Sequence, residues 1–430
     1  MSSQRRNIMQ INKVKGTYDV LPTESYRWHA LEEKIHSILK LYNIKEMRTP
    51  IMEYSEVFHR QSELSDMVTK ETYDFDDRGE RRLTLRPEGT AGVIRSYVEN
   101  KLYASQELEK VYYIGPNFRY ERPQKGRYRQ FYQFGVEAIG TVDPALDAEM
   151  IMLAYDFIKR LGLKGVSVKI NSLGDDESRR AYQEALTKHF EPHHDTLCDD
   201  CKARLIKNPL RILDCKIDQK HEAVMHAPTP QDYLNEFSRA YFNQVLAHLN
   251  ASQIKYQISP KLVRGLDYYS HTVFEIEADI EGFGAQNVLG GGGRYQKLVS
   301  ELGGPELGGI GFACGMERLL LALDAENIEL AKADQLDAYV IVMGEELRIT
   351  GSKILFDLRQ SNLIADMNYT KKAFKGQLKQ ALRLDAKYLI ILGEEEFKKG
   401  VVGIKNTKTE IQEEVPLRNI TMYIKENGEK

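Results

Sequence analysis

No run of apolar residues in this 430-residue chain approaches the ~20 needed to cross a bilayer as a helix, so no membrane-spanning segment is expected. The basic start, with Arg5, Arg6, Lys13 and Lys15, lacks the apolar core of a secretory signal. Read as an organellar leader, the same arm is short and not clearly amphipathic, so a cytoplasmic location is expected. Four cysteines do not make a disulfide framework in a chain this long, which suits a reducing compartment. Excess charge of one sign is missing too: at a formal net charge of -3, any contact with a polyanion has to come from local basic patches. There is no GxxxxGK[ST], and Gly309-Ile310-Gly311-Phe312-Ala313-Cys314 falls one glycine short of GxGxxG and follows no obvious dinucleotide unit. A nucleotide site would have to be built in another way. Internal repeats and low-complexity tracts are absent.

What is present is the composition of an ordinary soluble protein, 42% hydrophobic and 29% charged, with mass for about two to three domains. Trp28, Leu31, Ile35, Ile38, Leu39 and Tyr42 recur at helical spacing behind Leu21-Pro22-Thr23, where Thr23 is placed to cap; that stripe reads as core. A strand broken by Pro50 follows, and the proline favours an edge or an interface. Next come a strand, a turn at Pro87 to Gly89, and a helix whose first turn carries Glu88 and Thr90. A helix is expected after Asp143, and VSVKINSLG reads as a strand. From about 175 to 259 the chain turns helical and charged, which reads as an insertion. Strand signals return at VRGLDYYSHTVFEIEA, at the glycine run Gly290 to Gly293, and at LGGIGFACGMERLLLAL, so residues 1–330 form one interrupted sheet with helices. Residues 331–430 alternate strand and helix and form a separate small α/β domain.

The most informative stretch is Phe118 to Glu137, two polar-aromatic strands joined by a basic turn at Pro123 to Arg127. Alternation puts Arg129, Phe131, Gln133, Gly135 and Glu137 on one face and Gln130, Tyr132, Phe134 and Val136 on the other, while Arg119 and Glu121 lie together on the first arm. Gly135 leaves a gap in which a ligand or another backbone fits. A solvated hairpin with cross-strand charge pairs is the competing reading of that segment alone. Arg119, Arg264 and Arg318 each stand among glycines or aromatics, a setting that suits a bidentate clamp on phosphate or carboxylate. Cys198 and Cys201 form a CxxC, with Cys215 and His193, His194 and His221 nearby. That is a possible zinc set whose fourth ligand is unspecified, and free thiols in a helical segment are the favoured reading.

PIMEYSEVF around Pro50, FRYERPQKGRYRQF at 118–131 and GFACGMERLLLAL at 311–323 resemble motifs 1, 2 and 3 of the class II aminoacyl-tRNA synthetases, in order. LRPEGTAG at 85–92 and LVRGLDYYSHTVFE at 262–275 are similar to the two signatures of the histidyl-tRNA synthetases, and the similarity runs from near Lys13 into the C-terminal domain. The resemblance implies an α/β protein: an α+β catalytic domain with an antiparallel class II synthetase sheet, the helical insertion, and a C-terminal α/β anticodon-binding domain. It also implies a homodimer formed partly through motif 1, with ATP, L-histidine and tRNA(His) as partners and Mg2+ entering with ATP. By position, Arg119, Arg264 and Arg318 would be catalytic, and with Glu121 would hold ATP. Glu88, Thr90, Arg119, Gln133, Glu137, Arg264, Tyr269 and Tyr295 would bind histidine. Arg122 and Gln124 in the hairpin turn would meet the acceptor end of tRNA, and Lys371, Lys372, Lys375 and Lys379 put positive charge along one helix of the anticodon-binding domain. Gln296 stands where the glycine-run signature more often has an acidic residue. The cysteine trio is not general in the family, so no metal site is inherited. Two alternatives are a regulatory subunit of ATP phosphoribosyltransferase and a domain that senses uncharged tRNA. The former lacks the C-terminal domain and the arginine of the second signature, both present here, and the latter would tolerate loss of Arg119, Arg264 or Arg318.

Overall fold

The computed structural model describes residues 11–60, 65–105, 107–283, 287–370 and 372–428; Arg5, Arg6 and Lys371 lie outside them. The chain divides into two compact units, Met1–Ala331 and Lys332–Lys430. Among the described residues no helix is long and apolar enough to cross a membrane.

The strands of the first unit are β1 (Lys45–Glu46), β2 (Met52–Tyr54), β3 (Tyr73–Asp76), β4 (Arg82–Leu85), β5 (Glu109–Phe118), β6 (Gln130–Ile139), β7 (Ser167–Ser172), β8 (Tyr256–Ile258), β9 (Tyr269–Glu277), β10 (Val288–Tyr295) and β11 (Gly309–Gly315). Eight of them make one sheet in the order β1-β5-β6-β11-β10-β9-β7-β8, and β2-β4-β3 make a small second one. The centre of the large sheet is antiparallel, as expected. Its outermost pairings, β1 with β5 and β7 with β8, are parallel, because long connections carry the chain across before each pair closes, the first holding the small sheet and the second mostly helical.

One face of this sheet holds the main core. Phe134, Val136 and Ala138 of β6, Ile276 of β9 and Phe312 of β11 pack there against the helices Ser25–Leu41, Pro144–Arg160, Glu236–Ala251 and Met316–Ala325. The first of these helices buries Trp28, Leu31, Ile35, Ile38 and Leu39, the stripe read from the sequence. Thr23 does not cap it: the N-cap is Glu24, and the N–H groups of Glu24 and Ser25 both donate to the carbonyl of Leu21, so backbone does what a side chain was expected to do. In β10, a Cβ on Gly292 would stand 1.9 Å from the Gly311 carbonyl oxygen and 2.6 Å from Phe312 Cα, so only glycine lets β11 lie this close. A register shift between Gly293 and Arg294 ends the run. Arg294 is wholly buried and pairs with the equally buried Asp147 of the helix Pro144–Arg160, Nε donating at 2.8 Å, while Nη1 donates to the Thr141 carbonyl at 2.9 Å.

Between β7 and β8 the chain is helical. Tyr182, Leu186, Phe190, Leu205, Leu210, Ile212 and Val224 form a core of their own. The helix Glu236–Ala251, also inside 175–259, places Tyr241, Phe242, Val245 and Leu249 in the main core, and β8 joins the sheet. The separately packed part therefore ends short of 259.

In the second unit β12 (Ala338–Val342), β13 (Ala365–Met367), β14 (Tyr388–Leu392), β15 (Val401–Asn406) and β16 (Gln412–Pro416) run in the order β13-β12-β14-β15-β16. Every residue of β12 is buried: Val340 faces one apolar cluster, Tyr339 and Ile341 another, as in a sheet covered on both faces. Lys372, Lys375 and Lys379 are exposed. The helix expected to carry all of them starts at Phe374, so Lys372 precedes it, its N–H donating to the Asn368 side chain.

Candidate active site

The face of β6 turned away from the core carries Gln133 and Glu137, as the alternation requires. Gln133 accepts from the Asn117 side chain at 2.7 Å. Glu137 is 1% exposed and accepts from Thr90 Oγ1 at 2.6 Å and Tyr295 OH at 3.0 Å. Burial pushes its carboxyl up to about 8; the nearby charge of Glu88 adds to the rise, while the bonds from Thr90 and Tyr295 oppose it. Glu88 lies before the helix Thr90–Glu99 instead of in its first turn. Its carboxylate accepts from the N–H groups of Thr90 at 2.7 Å and Ala91 at 2.8 Å, so it caps from outside. Burial also raises the pKa of Tyr269.

All eight residues named for the histidine pocket, Glu88, Thr90, Arg119, Gln133, Glu137, Arg264, Tyr269 and Tyr295, line one cavity of about 80 Å³. Tyr113 and Tyr268, which the sequence reading missed, also stand in its wall. Gly311 keeps it open, since a Cβ there would stand 1.9 Å from Glu137 Oε2.

A second cavity of about 540 Å³ adjoins the first and shares Arg119, Arg264, Leu266 and Tyr269 with it. Arg127, Arg204, Arg211 and Lys216 also line it, against the carboxyl groups of Glu71, Glu121, Asp200 and Asp214, which leaves a recess of mixed charge with cations in excess, suited to an anion that brings its own cation. Arg119 donates from Nε to the Pro87 carbonyl at 2.9 Å and lies over the Phe131 ring at 5.2 Å. Glu121 stands 2.9 Å from Arg127 Nε and 3.9 Å from Arg119 Nη1. Arg264 pairs with Glu275 of β9, and its Nε is buried with no hydrogen-bond partner among the described residues.

Arg318 lines neither cavity. It is half-buried on the helix Met316–Ala325, with Nη1 donating to the Val288 carbonyl at 2.7 Å. Burial lowers its pKa; Arg127 and Arg264 push the same way, and Glu121 and Glu275 oppose, which places it in the same field of charge. Arg122 and Gln124 are exposed in the turn between β5 and β6, where Gln124 and Arg127 exchange two backbone hydrogen bonds of 3.1 and 2.9 Å. Gln296 belongs to neither lining.

Other residues around the site went unread. Glu317 accepts from the Tyr132 N–H at 2.8 Å and from Tyr18 OH at 2.9 Å, fastening the last helix of the unit to β6; burial pushes its carboxyl up to about 7. Its place beside Arg318 was a usable signal. Arg211 donates to the carbonyls of Arg264 at 3.1 Å and Gly265 at 2.6 Å, and nothing in its local sequence announces that. Cys198, Cys201 and Cys215 come together with Asp218, whereas His221 turns its Nε2 to Thr196 Oγ1 at 3.0 Å.

The antiparallel sheet, the hairpin that enters the cavity and the glycine-rich strand leading into a helix are the fold of a class II aminoacyl-tRNA synthetase. A model of the histidyl-tRNA synthetase family matches residues 16–319, and one of the anticodon binding domain matches residues 337–427. The histidine–tRNA ligase of Acholeplasma laidlawii is 58% identical over 418 residues, 97% of this chain and 100% of that one. That of Bacillus cytotoxicus is 52% identical over 420 residues, 97% of this chain and 99% of its own. The apo crystal structure of S. aureus histidyl-tRNA synthetase superposes with a TM-score of 0.81 at 42% identity, over 97% of this chain and 100% of the other. The chain belongs to the histidyl-tRNA synthetase family.

Proposed function

We propose that this protein is a histidine–tRNA ligase, acting as a homodimer in the cytoplasm, whose two cavities hold histidine and ATP side by side. The observation that carries the reading is the lining: eight residues from five separate parts of the chain surround the inner cavity, and two of its arginines also face the outer one, where cations are in excess.

Glu88, Thr90 and Gln133 take the α-amino group of histidine. Glu137 and Tyr269 take the imidazole, which in its neutral form has one donor and one acceptor. A carboxyl that titrates near neutrality meets such a ring as donor or as acceptor, and an apolar side chain of the same shape would leave it buried and unpaired. Arg119 holds the substrate carboxylate and the α-phosphate. A carboxylate oxygen of histidine attacks the α-phosphorus, the bond to the β-phosphate oxygen breaks, and pyrophosphate leaves with histidyl-adenylate behind it. Arg264, with its unused Nε, stabilises the charge that builds on the α-phosphate. Arg318, outside both linings but within the charge field of Arg127 and Arg264, would serve a γ-phosphate that extends beyond the outer cavity toward it. Mg2+ enters with ATP as part of that substrate, and Glu121 is one of the carboxylates of the outer cavity that would meet it. A terminal adenosine hydroxyl of tRNA(His) then attacks the acyl carbon and AMP leaves, with Arg122 and Gln124 on the exposed turn touching the acceptor end. A non-catalytic regulatory subunit fits less well, because Arg264 and the C-terminal unit are both present.

The test is histidine-dependent exchange of pyrophosphate into ATP. Exchange with histidine alone among the amino acids is expected, and no exchange with any amino acid would sink the reading. Arg264→Ala is expected to slow adenylate formation by about 10²- to 10³-fold with little change in histidine affinity. A large affinity loss with an unchanged chemical step would count against that role.

A further inference from the structure

Cys198, Cys201, Cys215 and Asp218 lie in the helical segment between β7 and β8. Their sulfurs and a carboxylate oxygen are all within 4.8 Å of one another, and the Sγ atoms of Cys198 and Cys215 are 3.7 Å apart. A disulfide requires about 2.05 Å between sulfurs, so these are too far apart to be bonded. Thiolates about 2.3 Å from one ion at the corners of a tetrahedron stand about 3.8 Å from each other, which matches. Ligands of a multi-iron cluster would be spread more widely, because several metal ions lie between them. Three sulfurs and one carboxylate oxygen are also the donor types that zinc accepts in four-coordinate sites.

We propose that Cys198, Cys201, Cys215 and Asp218 bind one Zn2+ as a closed structural site. Four protein ligands leave no open position for water or substrate, so the ion holds structure and does no chemistry. Backbone donors are already arranged around the ligands: the Cys198 N–H donates to Asp218 Oδ2 at 3.0 Å, and the Asp218 N–H to Cys215 Sγ at 3.5 Å. The local architecture calls for a staple. Pro209–Ile212 and Glu222–Met225 are helices of about one turn, too short to persist by themselves, and they share one small core with Cys201 and Cys215.

The site borders the active centre, since Cys215 itself lines the outer cavity, and it is tied to the Arg264 loop as well. Arg211, between Cys201 and Cys215 in the chain, holds the carbonyls of Arg264 and Gly265, and its neighbour Asn208 donates to Asp267 at 2.9 Å. The ion therefore fixes the segment that braces the Arg264 loop.

Full-length protein, produced in zinc-supplemented medium and purified without chelators or metal-affinity resin, is expected to carry about one zinc per chain by plasma mass spectrometry. The double variant Cys201→Ser/Cys215→Ser is expected to carry less than a tenth of that. Because that variant risks misfolding, the unaltered protein is also to be stripped and reloaded with Co2+. Visible d–d bands of a tetrahedral ion with a thiolate-to-cobalt charge-transfer band support the site. Zinc well below one per chain in the unaltered protein, zinc retained by the double variant, or a cobalt spectrum of octahedral type would each overturn it.

Discussion

Glu137 concentrates the chemistry of the inner cavity in one carboxyl. In the unfolded chain it titrates near the ordinary ~4.3, and in the unliganded fold burial lifts it to about 8. Between those values the native protein holds a proton that the unfolded chain has released. The stability this group supports is therefore complete below about pH 4.3 and is lost as pH rises through about 8. Glu317, lifted to about 7, acts in the same direction. The urea midpoint of the unliganded protein is expected to fall with rising pH across that window less steeply in Glu137→Gln than in the parent; equal slopes would remove Glu137 from the account. The same variant is expected to raise the KM for histidine by roughly 10- to 100-fold and leave that for ATP nearly unchanged. Gln133 and Glu137 were legible in the sequence, because strand parity alone puts them on one face. Glu275, which pairs with Arg264, and Asp218, which completes the cysteine cluster, were not. Each is brought to its partner by a backbone path that no short-range pattern encodes.

Elements were legible where periodicity was strong. The stripe of the helix Ser25–Leu41, the alternation in β6 and the strand-helix order of the second unit all follow from spacing. Ends and partners were less so: a backbone turn replaced Thr23 as cap, Glu88 capped its helix from outside, and the parallel edge pairings depend on long connections that sequence does not measure. The glycine run of β10 is the element with the sharpest requirement. Gly292→Ala drives a Cβ into the backbone of β11 and is expected to destabilise the first unit by about 1–3 kcal/mol in urea denaturation. Gly265→Ala meets nothing within 4 Å and serves as its control. A shift in the control as large as that in Gly292→Ala would show that close packing is not what selects glycine there.

At the scale of the whole molecule, Met1–Ala331 and Lys332–Lys430 are each compact around cores of their own. Residues 1–331 expressed alone are expected to fold, to retain histidine-dependent pyrophosphate exchange within about tenfold, and to charge tRNA at least about 10²-fold more slowly, since contacts to the far end of the tRNA are gone. Equal losses in exchange and charging would show that the first unit depends on the second for more than tRNA. Within the first unit, the pair of Arg294 and Asp147 has a consequence for how this sequence can drift. The two residues stand 147 positions apart, and both are sealed from water. A change at either one alone strands a charge in a dry interior, at roughly 3–5 kcal/mol, a large part of the margin by which a domain stays folded. Replacing both with apolar residues of similar volume escapes most of that penalty. To random substitution the two positions behave as one, and every stepwise route between the charged and the apolar solution crosses a valley.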